Sequence, residues 1–162
     1  MRNYLLILLS FFTFFISQAQ LSNKHWLSPI HARQQSIVQD HHLYISTAET
    51  TPFLVTVTYG NGQQVPGSPY LISKNSPRTI QIDDQQPSRM FVSTNDLNVV
   101  RSDKGLILEG PKDFYVSFRM RSDNHAETII SKGKPGIGTE FRLGSLPNGE
   151  DGGARNFVSS VM

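Results

Sequence analysis

The chain has 162 residues, a formal net charge of +2, 12 glycines, 9 prolines and no cysteine. Its length fits one domain, or one and a half. The near-balanced charge gives no basis for nucleic acid or an anionic membrane as partner, and the lack of cysteine excludes a disulfide scaffold, thiolate metal sites and a cysteine nucleophile.

Residues 1–19 read as a secretory signal peptide. Arg2 supplies the positive start, Leu5–Ile16 (LLILLSFFTFFI) the apolar run, and Ser17-Gln18-Ala19 the small residues of a cleavage site. The apolar run has 12 residues, too few for a membrane span of about 20. The mature chain then begins at Gln20 and is secreted or held at the cell surface. Without disulfides its stability rests on a core, which roughly 140 residues suffice to build.

Residues 20–162 read as one all-β domain, an antiparallel sandwich or barrel-like module. The weakly periodic stretch Ser28–Val38 is the best helical candidate. After it, short apolar runs recur about every ten residues between turn residues. They are His42–Thr47, Phe53–Tyr59, Tyr70–Ser73, Arg78–Ile82, Met90–Ser93, Gly105–Glu109, Phe114–Arg121, Glu127–Ser131, Glu140–Leu143 and Asn156–Val161. Two alternate cleanly. Phe53, Val55, Val57 and Tyr59 share one face, with Thr56 and Thr58 opposite. Phe114, Val116, Phe118 and Met120 share another, with Tyr115, Ser117, Arg119 and Arg121 facing away. This places Phe53, Val55, Val57, Phe114, Val116, Phe118 and Phe141 in the core. Asn61-Gly62 marks a tight hairpin turn. The polar stretch 83–88 (DDQQPS) marks a weak internal boundary.

Gly133–Glu140 (GKPGIGTE) has the glycine spacing of a phosphate-binding loop, G-x-x-x-x-G-K-[ST]. Where that loop needs Lys and a hydroxyl, this chain has Thr139 and Glu140, and TEFRLGS continues as a strand rather than a helix. The stretch reads as a turn without phosphate affinity.

The histidines are His25, His31, His41, His42 and His125. Adjacent His41 and His42 point to opposite faces of a strand, so they do not share a metal ion, and no metal site or cofactor is expected. No G-x-S-x-G elbow occurs. Glu109, Asp113, Glu127 and Glu140 are the carboxylates from which a glycoside-hydrolase pair, roughly 5–10 Å apart, would have to come. Pro147–Ala154 (PNGEDGGA) suits calcium chemically but lacks the spacing of a calcium loop, and reads as a solvated turn. Arg119, Arg121 and Arg142 share an exposed face if their strands pair, and arginine forks suit carboxylates or sulfates. Trp26 reads as a plug at the base of the domain, with sugar stacking as the alternative.

Two stretches carry a family resemblance: KHWLSPIHAR (24–33) followed by HLYISTAETTPFLVTVT (42–58), and KGLILEGPKDFYVSFRMRSDNHAETIISKGKPGIGTEFRLGS (104–145). Together they resemble the IgGFc-binding-protein N-terminal-like domain of large secreted proteins of gliding bacteria. The most specific part is Ser131-Lys132-Gly133 with Gly138-Thr139, Phe141 and Arg142. The resemblance implies a surface-exposed multidomain protein, exported by a type IX system and associated with adhesion or gliding motility. It carries over no catalytic residue and no immunoglobulin binding. The C-terminal sorting domain of such proteins is not in this chain, and NFVSSVM ends it on an apolar, strand-like run, so the chain is expected to be the N-terminal fragment of a longer protein.

The leading expectation is therefore a non-enzymatic extracellular module with an unidentified protein or glycan ligand, joined to downstream domains. Trp26, Tyr115, Arg119, Arg121 and Arg142 are the expected ligand contacts. A carbohydrate-binding module is the alternative, with Trp26, Tyr44, Tyr59, Tyr70 or Tyr115 stacking on sugar rings. A secreted glycan hydrolase is a further one.

Overall fold

The computed structural model describes residues 20–31, 38–82, 88–96, 99–122 and 126–138. Residues 1–19, which read as a signal peptide, together with Phe141, Arg142, the loop Pro147–Ala154 and the runs Glu140–Leu143 and Asn156–Val161, lie outside these residues. The described residues form nine strands: β1 Ser22–Leu27, β2 Ile30–His31, β3 Val38–Ser46, β4 Phe53–Tyr59, β5 Tyr70–Ile72, β6 Arg78–Gln81, β7 Phe91–Val92, β8 Leu106–Ser122 and β9 Ala126–Ile130. Among the described residues there is no α-helix. The fold is all-β, with a nearly closed, barrel-like antiparallel sheet.

β8 organises the molecule. Its first part, Leu106–Glu109, pairs with β4 on one side and β1 on the other. Its second part pairs with β3 and β9, while β5 extends β4 and β6 extends β3. The result is two four-stranded layers, β5-β4-β8-β1 and β6-β3-β8-β9, joined along β8. The carbonyls of Gly105 and Asp113 point toward the β4 and β3 side, bonding Gly60 N–H and the Thr47 hydroxyl. The Val116 carbonyl points the other way, to Ser131 N–H. Thus β4 and β3 lie end to end along one side of β8, and β1 and β9 along the other.

Even-numbered residues of β8 face the space between the layers. Leu106, Leu108, Phe114, Val116, Phe118 and Met120 are buried there with Leu43, Ile45, Phe53, Val55 and Val57. Thr56 and Thr58 are half-buried, and Arg119 and Arg121 are exposed on the opposite face, as the alternation predicts. The inward position at the bend is Gly110. A Cβ there would lie 3.2 Å from the Phe114 ring, 3.3 Å from that of Phe53 and 3.3 Å from Val55. Glycine leaves room for the two rings where the layers converge. The next residue, Pro111, has no N–H to donate, and it falls between the end of the β4 ladder at Glu109 and the start of the β3 ladder at Tyr115.

Gly105–Glu109 and Phe114–Arg121 are thus parts of one strand, not two, because Gly110-Pro111 bends the chain without releasing it. β1 and β2 stand where the pattern gave no strand. Ile30 and His31 pair in parallel with Phe91 and Val92, and Val38 opens β3, so the helical candidate Ser28–Val38 is strand at those positions, and residues 32–37 lie outside the described part. Strands from both sides of residues 83–88 join the sheet around β8. The Asn61-Gly62 turn is present: Gly62 N–H bonds the Tyr59 carbonyl at 2.8 Å, and Gly62 has φ 82°. Positive φ is needed at that glycine alone, giving a turn followed by a glycine bulge.

Candidate functional site

The outer face of the β6-β3-β8-β9 layer carries a row of aromatic and basic side chains. On β3, inward Leu43 and Ile45 alternate with outward His42 and Tyr44; on β8, inward Val116 and Phe118 alternate with outward Tyr115, Ser117 and Arg119. Register places His42 opposite Arg119, Tyr44 opposite Ser117 and Ser46 opposite Tyr115. Tyr44 and Tyr115 are therefore diagonal neighbours, about 7–8 Å apart at the backbone. Tyr115 is 39 % exposed. The His42 and Tyr44 rings stand 6.3 Å apart. Thr79 of β6 flanks Tyr44 and Thr128 of β9 flanks Arg119.

A bulge in β3 sets the end of this row. Two residues, Asp40 and His41, oppose Met120 where the register shifts between Gln39 and His42. Asp40 takes φ 56°, the only positive φ of a non-glycine among the described residues. Aspartate tolerates this left-handed conformation better than most residues. The bulge turns His41 into the core, against Phe91 at 4.6 Å and Phe118 at 6.0 Å, and His42 outward, where its Nδ1 lies 3.0 Å from the Asp40 carbonyl. The Asp40 carboxylate reaches the Arg121 guanidinium at 3.5 Å, both half-exposed. The opposed orientation of His41 and His42 agrees with the strand argument, and the described residues contain no cluster able to hold a metal ion.

Of the expected ligand contacts, the structure brings Tyr115, Arg119 and Arg121 together and adds Tyr44 and His42. Arg142 lies outside the described residues. Trp26 sits elsewhere, on the outer face of the first layer opposite Ile107. It is half-buried, with the Lys24 ammonium 5.3 Å from its ring centroid, and Lys24 also pairs with Glu109. Trp26 is thus no plug; the buried neighbour is His25. Tyr59 is also no platform, being 6 % exposed with the Arg89 guanidinium 4.6 Å from its ring centre. Tyr70 is half-buried, its hydroxyl bonded to the Pro66 carbonyl at 2.5 Å, and burial raises its pKa above the usual range. Among the carboxylates, Glu109 is held by Lys24, and Asp113 is exposed on β8. The Glu127 side chain and Glu140 lie outside the described residues.

The Gly133–Gly138 stretch is a turn. Lys134–Gly136 forms one 3-10 turn after Gly133, which has φ 60°. Its N–H groups are used internally: Gly133 bonds the Ser131 hydroxyl, Lys134 the Ser22 hydroxyl, Gly136 the Gly133 carbonyl and Ile137 the Lys134 carbonyl. A phosphate cradle needs those donors turned toward the ligand.

That turn belongs to a buried clasp which the sequence did not reveal. His25, fully buried on β1, has Nε2 within 2.8 Å of the Phe114 carbonyl and 3.0 Å of the Ser22 carbonyl, so Nε2 carries the proton. Its Nδ1 lies 3.0 Å from the Ser131 hydroxyl, which is also 3.1 Å from the Trp26 carbonyl. Burial lowers the His25 pKa below its ordinary value, against the opposing pull of the Phe114 and Ser22 carbonyls and the Asp113 charge. A serine beside a histidine suggests a nucleophile and its base. Here Ser131 is 5 % exposed and also bonded to backbone groups, so the pair ties β1, β8 and the end of β9 together. In the sequence its one trace is SKG at 131–133, which belongs to the family resemblance and carries no packing signal.

Comparison with protein-family profiles, curated proteins and solved structures finds no match to this chain.

Proposed function

We propose that the chain is an extracellular binding module, part of an adhesion-type surface protein, which holds its ligand on the outer face of the β6-β3-β8-β9 layer. One observation carries this reading: Tyr44, Tyr115, Arg119 and Arg121 stand in one outward row on adjacent, mutually paired strands. Sites on paired strands are held more exactly than sites on loops, and exposed aromatic and arginine side chains are the types that dominate binding energy. The signal-peptide pattern and the resemblance to surface proteins of gliding bacteria support the extracellular setting. The row offers stacking and ion pairing rather than an arranged acid, base and nucleophile, which supports binding over catalysis.

The test is a glycan and extracellular-protein array probed with the full chain, followed by amide chemical-shift mapping with the strongest hit. Responses are expected at residues 42–46, 115–121 and 128–130. Responses centred on Trp26 and Ile107 would move the site to the other layer, and an array without hits would overturn the binding-module reading.

A further inference from the structure

From the chemistry of this face we infer that its ligand is an acidic polysaccharide bearing carboxylate or sulfate groups, laid along β8 from Tyr115 to Arg121; this rests on the binding-module reading. The row spans six residue steps of an extended strand, about 20 Å, enough for several linked sugar rings. Tyr115 and Tyr44 occupy one end. Aromatic faces carry negative charge density, and the polarised C–H bonds of a sugar ring lie well against them. His42, Ser117, Thr79 and Thr128 offer hydrogen-bonding groups at the middle. Arg119 and Arg121 occupy the other end, where planar guanidinium forks match carboxylate or sulfate oxygens two at a time.

Two further observations support an anionic ligand over a neutral one or a protein. The described acidic side chain beside the two arginines is Asp40, which meets Arg121 at 3.5 Å with 52 % of the aspartate and 59 % of the arginine side chain exposed. Such an exposed pair contributes little net free energy, so a ligand anion displaces it readily. Asp40 is held there by a left-handed backbone conformation in a bulge, and strained residues and bulges cluster where a protein positions groups for binding. A protein partner of ordinary size needs an apolar centre. The centre of this face is Ser117 between Tyr44 and Ile130; Ile130, 50 % exposed, is its one large aliphatic side chain among the described residues, and polar His42, Thr79 and Thr128 surround it.

Affinity electrophoresis of the full chain at about 0.15 M salt tests this with four probes: alginate (a polyuronate), dextran sulfate, neutral dextran, and polyglutamate as an anion without sugar rings. Retardation by alginate or dextran sulfate is expected, and which of the two is stronger distinguishes carboxylate from sulfate. Arg119→Gln with Arg121→Gln should weaken it about tenfold or more. Tyr44→Ala and Tyr115→Ala should each weaken it several-fold. Arg119→Lys, which keeps the charge but loses the fork, serves if the double variant melts early, and should also weaken binding. Equal retardation by neutral dextran would overturn the acidic ligand while leaving a binding module. Equal retardation by polyglutamate, with the tyrosine variants unchanged, would reduce the effect to plain charge attraction and overturn the sugar. No retardation by any probe would overturn the inference, while the array of the preceding section judges the module separately.

Discussion

His25 shows how much a single side chain is asked to do. It satisfies the Phe114 and Ser22 carbonyls and meets Ser131 from β1, inside the fold. Its folded pKa lies below the ordinary 6.5 because burial disfavours the imidazolium. The unfolded chain therefore binds a proton first as pH falls. The stability conferred by neutral, buried His25 is complete above about pH 6.5 and declines as pH drops from there toward the folded pKa. The urea midpoint of the parent should fall across that window more than that of His25→Gln; equal slopes would show that His25 does not titrate on unfolding. His25→Ala, which leaves buried carbonyls without a donor, should cost about 1–3 kcal/mol at neutral pH, read from the same unfolding curves. None of this was legible in HWL, because its partners Phe114 and Ser131 lie far along the chain. The outward Tyr115, Arg119 and Arg121 were legible, since strand alternation alone assigns their face. His42 and Tyr44 joined them only through pairing with β8, which no local pattern encodes.

At the level of elements, legibility followed periodicity. Phe53–Tyr59 is legible to the residue because inward Phe53, Val55, Val57 and Tyr59 alternate with Leu54, Thr56 and Thr58. β1 escaped because two of its three buried positions are the polar Ser22 and His25, which leave no apolar alternation to read. β8 was divided in two because Gly and Pro ordinarily end strands. Here Gly110 serves to let Phe53 and Phe114 meet, and Pro111 occupies the gap between two ladders. Gly110→Val should overpack that junction, with a Cβ already at 3.2–3.3 Å from three side chains, and cost about 1–3 kcal/mol. Thermal melts of the two proteins measure it, and an unchanged midpoint would mean that the bend, rather than the space, selects glycine.

As a whole molecule the protein depends on β8, which pairs with β1, β3, β4 and β9. The polar stretch 83–88 reads as a weak boundary from its composition, and strands on either side of it meet in the one sheet built on β8. A chain ending at Ile82 keeps β1, β3 and β4 and loses the strand that joins them. It should show no cooperative melt and no sheet signature by circular dichroism; a folded 20–82 fragment would mean two independent halves. The position of β8 in the chain has a consequence in time. β1 begins at Ser22 and β8 ends at Ser122, so the first strand waits for about 100 residues of synthesis, roughly 5–20 s at ordinary elongation rates. During that interval β3 can pair with β6 and β4 with β5, but β1 has no partner to close on, and such distant pairing is slow in any case. The sheet of the nascent polypeptide therefore closes late, only after most of the chain has been made.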